Sequence, residues 1–119
     1  NGNFTFNFER MKSNKIDIEY LKQELVNRLI SLNPDKIILF GSYVYGNPDE
    51  NSDVDICVVN SGNTAKLEVK RAVRSLLKDL KIAKDILTPS KEEYDFYKNE
   101  FGSAYKEIEE KGKVLWPVS

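Results

Sequence analysis

The chain has 119 residues, with 18 Lys and Arg against 19 Asp and Glu, no His and a single Cys, for a formal charge of −1. At 40% apolar and 31% charged residues it has the composition of one ordinary soluble domain, which excludes disordered and collagen-like chains. The missing His excludes Ser-His-Asp and Cys-His machinery and His-containing zinc or iron sites, and the lone Cys57 excludes an internal disulfide or a multi-cysteine metal site.

Residues 1–16 carry no sustained period and read as an N-terminal extension, whose first ten residues, before the lone Met11, are open between an expression scar, an upstream extension and native sequence; residues 17–119 read as a single domain. From Asp17, an N-cap residue type, Ile18, Leu21, Leu25, Leu29 and Leu32 recur at steps of three and four, which predicts an amphipathic helix stopped by Asn33-Pro34. Lys36 to Phe40 is a β-branched and aromatic run ending at Gly41, a buried strand followed by a turn. Asn47 to Ser52 is loop chemistry, and Val54 to Val59 is a second strand. The apolar runs Ile37 to Phe40 and Ile56 to Val59 are too short to span a bilayer or form a signal-peptide core. With a thiol count that suits a reducing cytosol, a cytoplasmic protein with no membrane contact is expected.

Val69, Ala72, Val73, Leu76, Leu77 and Leu80 follow the spacing of a second amphipathic helix, and Ile82 to Leu87 is a short third strand. Thr88-Pro89-Ser90 with Glu93 predicts a helix start with a capping box. Tyr94, Tyr97, Phe101, Tyr105 and Ile108 then share one helical face, read as core, with Gly102 as a break and Gly112 as a C-cap. Val114-Leu115-Trp116 closes the sheet edge. The expected architecture is α/β (α+β) in the order α-β-β-α-β-α, a mixed β-sheet covered by helices.

Any catalysis must draw on carboxylates, hydroxyls, Lys or Arg, and a borrowed metal ion. Strand alternation puts Asp53 and Asp55 on one face, with Cα atoms about 7 Å apart, so that both carboxylates can reach one ion or straddle two. Residues 41–60 contain four acids and no Lys or Arg, so a hard divalent cation is the natural partner, and Mg²⁺ suits a site of one or two carboxylates completed by phosphate oxygens and water. An isolated Asp-x-Asp also marks the solvated start of a strand; two further features raise the functional reading. Gly41-Ser42 follows the first strand, where a Gly permits close backbone approach and a Ser hydroxyl with the following amides can donate to phosphate oxygens if a short helix begins near Tyr43. Asp85 is an acid inside the third apolar strand, and pairing of that strand beside the second would bring it to the same face.

Taken together, Lys36-Ile-Ile-Leu-Phe-Gly-Ser-Tyr-Val-Tyr-Gly, then Ser52-Asp-Val-Asp-Ile, then Asp85-Ile-Leu-Thr-Pro-Ser resembles the nucleotidyltransferase superfamily related to DNA polymerase beta. The match is most like the minimal nucleotidyltransferases and runs from about Lys36 to Trp116. The resemblance implies a polymerase beta-like fold in which Asp53, Asp55 and Asp85 hold Mg²⁺. It further implies that Gly41 and Ser42 bind the nucleotide, ATP or another nucleoside triphosphate, and that Asp85 also receives the acceptor hydroxyl's proton. Relatives often carry Arg where this chain has Tyr43 or Tyr45, so this turn offers no cation to a triphosphate. Lys66, Lys70, Arg71, Arg74, Lys78, Lys81 and Lys84 outnumber Glu68 and Asp79 over residues 64–84 and can supply that charge, meet an acidic partner, or form a solvated helix face.

Larger relatives append a helical domain that cradles the acceptor, so here the acceptor is expected from elsewhere. The resemblance implies a helical HEPN-type toxin as partner, onto which relatives transfer AMP, with this chain as antitoxin. A non-catalytic antitoxin that masks its partner sterically, and a dimeric small-molecule (antibiotic) nucleotidyltransferase, remain as alternatives; homo-oligomers stay open. Cys57, with no nearby cation to lower its pKa, reads as a small buried residue rather than a nucleophile. A near-neutral charge and the lack of a recognition-helix motif give no reason to expect direct nucleic-acid binding.

Overall fold

The structure is a computed structural model that describes residues 18–46, 53–80 and 84–118. The expected N-terminal extension, the Asp17 cap, the Asn47 to Ser52 loop and the first two residues of the expected third strand lie outside the described residues.

The first amphipathic pattern forms α1 (Ile18–Leu29), continued by one 3₁₀ turn (Ile30–Leu32). Its stripe Leu21, Leu25 and Leu29 is fully buried, and Asn33 ends it in the left-handed region at φ 51°, a conformation Asn adopts more readily than most residues. Strand β1 (Lys36–Phe40) leads into a one-turn helix α2 (Ser42–Tyr45), and β2 (Val54–Val59) follows. Helix α3 (Lys66–Leu77), extended by the 3₁₀ turn Lys78–Leu80, crosses over to β3 (Lys84–Leu87). Val69, Val73, Leu77 and Leu80 are buried, as the spacing predicts.

The four-stranded sheet has the order β3-β2-β1-β4, where β4 is Lys113–Trp116. β1 pairs antiparallel with both β2 and β4, whereas β2 and β3 run parallel, so the sheet is mixed. The parallel pair is possible because α3 returns the chain to the starting edge. One face of the sheet, carrying Ile37, Leu39, Val54, Ile56 and Val58, packs on α1 and α3. The other, carrying Ile38, Cys57 and Val59, packs on Tyr94 and Ile108 from α4 (Lys91–Tyr97) and α5 (Ala104–Lys111).

Two expectations for this second helical layer need correction. Ser90 caps α4 by accepting from the Glu93 amide at 3.0 Å, but the Glu93 carboxylate turns to Lys66 at 3.0 Å, so only half of a capping box forms. The aromatic series does not form one buried face. The helix ends at Tyr97 and restarts at Ala104 under a new cap, Ser103, whose hydroxyl accepts from the Lys106 amide at 3.1 Å. The break resets the helical phase, leaving Tyr94 buried, Tyr105 half-buried, and Tyr97 and Phe101 43% and 97% exposed. Gly112 does cap α5, in an extended rather than left-handed conformation. Space demands glycine there: a Cβ would meet the Ile108 carbonyl at 2.6 Å and Ile38 Cγ2 at 2.7 Å.

Arg28 joins the layer above the sheet. It donates to the buried Glu24 carboxylate at 3.0 Å, to the Leu76 carbonyl at 3.0 Å, and as a two-pronged pair to Asp79. Helices α1 and α3 are thereby tied by polar as well as apolar contacts.

Candidate active site

Val54, Ile56 and Val58 enter the α1/α3 core while Cys57 and Val59 enter the α4/α5 core, so Asp55 lies on the α4/α5 face near that face's end. Asp53 precedes the strand by one residue and is exposed. In the parallel ladder Asp55 stands directly opposite Asp85, and side chains of residues opposite one another point to the same side. The third-strand acid therefore joins the other two. In the antiparallel ladder Asp55 stands opposite Phe40, the residue just before Gly41.

Gly41 adopts φ +80°, and a Cβ on it would lie 1.9 Å from Asp55 Oδ2. The turn is thus folded directly against the central carboxylate, a closeness and a left-handed φ that only glycine allows. Helix α2 begins at once, with the Val44 amide donating to the Gly41 carbonyl at 2.9 Å and Gly46 to Ser42 at 3.0 Å. Ser42 is half-buried beside the turn. Strand end, glycine turn and three acids accordingly form one locus, although sequence spacing alone assigned them to three separate segments.

Electrostatics there are those of an anion cluster. Burial, then the neighbouring Asp85 and Asp53 charges, push the Asp55 carboxyl up to about 6. Among the described residues no Lys or Arg pairs with Asp53, Asp55 or Asp85. Nor, among those residues, does any group of three acids or thiols already stand close enough to enclose an ion. The donor set still fits a hard cation in its chemistry: oxygen donors that repel one another, two of them, Asp53 and Asp85, exposed to solvent.

The turn's two tyrosines behave differently. Tyr43 is buried in the α1/α3 core, whereas Tyr45 is 48% exposed. Over the Tyr45 ring, 5.9 Å from its centroid, lies the Lys111 ammonium at the end of α5. Sequence reasoning missed Lys111, because nothing local to it signals that α5 ends beside the turn. The basic stretch is divided: Lys66 pairs with Glu93, while Arg71 and Arg74 on α3 and Lys78 in the 3₁₀ turn after it lie exposed. Lys81 and the side chain of Lys84 lie outside the described residues. Cys57 is fully buried, and burial pushes its thiol up to about 12, which suits packing rather than nucleophilic attack.

The nucleotidyltransferase domain family matches residues 18–115, a span that holds the turn and all three acids. The chain belongs to the nucleotidyltransferase domain family. Its mixed sheet with flanking helices is the polymerase beta-like arrangement expected from the motif. In fold, this nucleotidyltransferase domain is similar to a chain of a solved structure described as the crystal structure of a toxin-antitoxin with AMP-PNP. The TM-score is 0.53 at 24% identity, covering 82% of this chain and 74% of that one. No curated protein matches the sequence. Among the described residues no helix is long and apolar enough to cross a membrane.

Proposed function

We propose that this nucleotidyltransferase domain is Mg²⁺-dependent and transfers a nucleoside monophosphate, AMP from ATP, to a hydroxyl of a HEPN-type toxin partner in the cytoplasm, acting as its antitoxin. The observation that carries the reading is the in-register pair Asp55 and Asp85, with Gly41 folded against Asp55. Three acids with no cationic partner among the described residues are costly unless a cation and an anionic substrate complete the site. Nucleotide and toxin partner are further supported by the fold likeness to the toxin-antitoxin structure with AMP-PNP.

In this reading Asp53, Asp55 and Asp85 hold the metal, and Gly41 and Ser42 hold the nucleotide. Bound Mg²⁺ supplies positive charge that neutralises phosphate oxygens and polarises the α-phosphate. The Gly41 backbone permits close approach, and the Ser42 hydroxyl donates to an outer phosphate oxygen. Asp85, exposed at the end of the sheet, accepts the proton of the attacking hydroxyl. The new bond joins the acceptor oxygen to the α-phosphorus, the bond to the bridging oxygen of the β-phosphate breaks, and pyrophosphate leaves. Asp53 and Asp55 would hold the metal, whose charge lets the triphosphate sit beside them with its attacking and leaving oxygens in line.

A second reading, a non-catalytic antitoxin that masks its partner, draws on the turn from Gly41 to Gly46, which carries no cation of its own. Incubation with α-labelled ATP, Mg²⁺ and the toxin partner separates the two. Label on the partner supports transfer, whereas an unlabelled but neutralised partner supports masking.

A further inference from the structure

We infer that Lys111 is the cation that binds the polyphosphate tail of the nucleotide, reaching the glycine turn from the far end of the chain. The inference rests on the proposed nucleotidyl transfer and names a binding residue for it. A triphosphate brings several negative charges to a locus that already holds Asp53, Asp55 and Asp85. A metal ion held by those acids offsets charge on their side of the turn. On its other side, the segment from Gly41 to Gly46 contains only Gly, Ser, Tyr and Val. The outer phosphates therefore require a cation from elsewhere.

Lys111 is placed to be that cation by the fold rather than by chance exposure. Helix α5 packs through Ile108 on the same sheet face that carries Asp55. Its end is pinned where Gly112 fits against the Ile108 carbonyl and Ile38 Cγ2, a contact no larger residue allows. The next residue, Lys113, is already paired with Leu39 in the sheet, two positions before Gly41. These constraints bring the Lys111 stem to the turn, and its ammonium rests 5.9 Å from the centroid of the Tyr45 ring. The ring's electron-rich face steadies the cation without neutralising it. The only carboxylate paired with it among the described residues is Glu107, at 3.9 Å between side chains that are 58% and 57% exposed. A pair that long and that solvated holds the ammonium weakly, so a phosphate oxygen competes readily for it. Lys111 thus stands over Tyr45 at one end of the turn whose other end, Gly41, lies against Asp55.

Calorimetry on the full chain with ATP, ADP and AMP, each in excess Mg²⁺, tests the inference on wild type, Lys111→Met and Lys111→Arg. Lys111→Met is expected to weaken ATP binding roughly tenfold, as loss of one charge-assisted contact to phosphate should. AMP, which lacks the tail, should bind both proteins alike and so also reports that the variant is folded. Lys111→Arg should bind ATP within about twofold of wild type, since the charge and reach are kept. Wild-type ATP affinity in Lys111→Met would overturn the assignment of Lys111 while leaving the transfer reading in place. Loss of ATP and AMP binding by equal factors would also overturn it, by showing a structural role. If the wild-type protein binds no ATP in Mg²⁺, the reading of the site as a nucleotide site fails, and the inference fails with it.

Discussion

A Cβ on Gly41 would lie 1.9 Å from Oδ2 and 2.8 Å from Cγ of Asp55, so the turn after β1 and the central acid of β2 share one boundary. Gly41→Ala must either displace that carboxylate or unfold the turn, and its φ of +80° adds backbone strain of about 1–3 kcal/mol. The expected outcome is loss of transfer with a lowered melting temperature. A double-mutant cycle with Asp55→Ala isolates the contact: Gly41→Ala should cost less stability once the carboxylate is gone, with a coupling of about 0.5–3 kcal/mol. Identical cost in both backgrounds would mean that only the φ angle matters.

The raised Asp55 carboxyl gives the metal-free protein a defined pH dependence. Its value moves from 3.8 to about 6 on folding, so between those values the folded chain holds a proton that the unfolded chain has lost. Unfolding free energy therefore falls as pH rises through that window, and the penalty is complete above pH 6. Asp55→Asn should then raise the melting temperature of EDTA-treated protein at pH 7.5 and leave it nearly unchanged at pH 4. Thermal melts at the two pH values read this directly, and a destabilised Asp55→Asn protein at pH 7.5 would show that neither burial nor the neighbouring acids penalises the Asp55 charge.

In the proposed site metal and nucleotide binding are linked, because Asp53, Asp55 and Asp85 without a metal would face phosphate as bare anions. ATP is expected to bind in Mg²⁺ and to lose most of its affinity in excess EDTA. Calorimetry with and without the chelator measures the difference, and equal affinities would remove the metal from the account.

Arg28 predicts a stability effect remote from the site. Glu24 is 2% exposed and relies on Arg28 at 3.0 Å, so Arg28→Met leaves a buried charge without its partner. The expected loss is about 3 kcal/mol in urea unfolding. Changing both residues, Glu24→Leu with Arg28→Met, should recover most of it; the Asp79 contact, with that carboxylate 52% exposed, contributes less.

Much of this arrangement was legible in the sequence where a period or a short motif carries it. Leu21, Leu25 and Leu29 on α1, and Val69, Val73 and Leu77 on α3, are buried because one apolar stripe at helical spacing has only one way to face a sheet. Alternation along β2 is enough to separate Asp55 from Val54 and Ile56. Less was legible where phase or distance decides. Tyr97 and Phe101 look like core only if one helix continues through them, and the break before Ser103 removes that condition. Asp85 opposite Asp55 depends on a parallel pairing through α3 that neither strand encodes locally. The contacts of Arg28 with Asp79, and of Lys111 with Tyr45, join segments far apart in the chain.

Covalent change in the partner tests nucleotidyl transfer most directly. The proposed toxin partner is incubated with Mg²⁺, ATP and either wild type or Asp55→Asn, then weighed intact after its co-purification with each has been measured. The account predicts that both proteins bind the partner, that only wild type neutralises it, and that its mass then rises by about 329 Da per AMP added. An unchanged partner mass, with equal neutralisation by wild type and Asp55→Asn, would contradict transfer and leave steric masking as the activity.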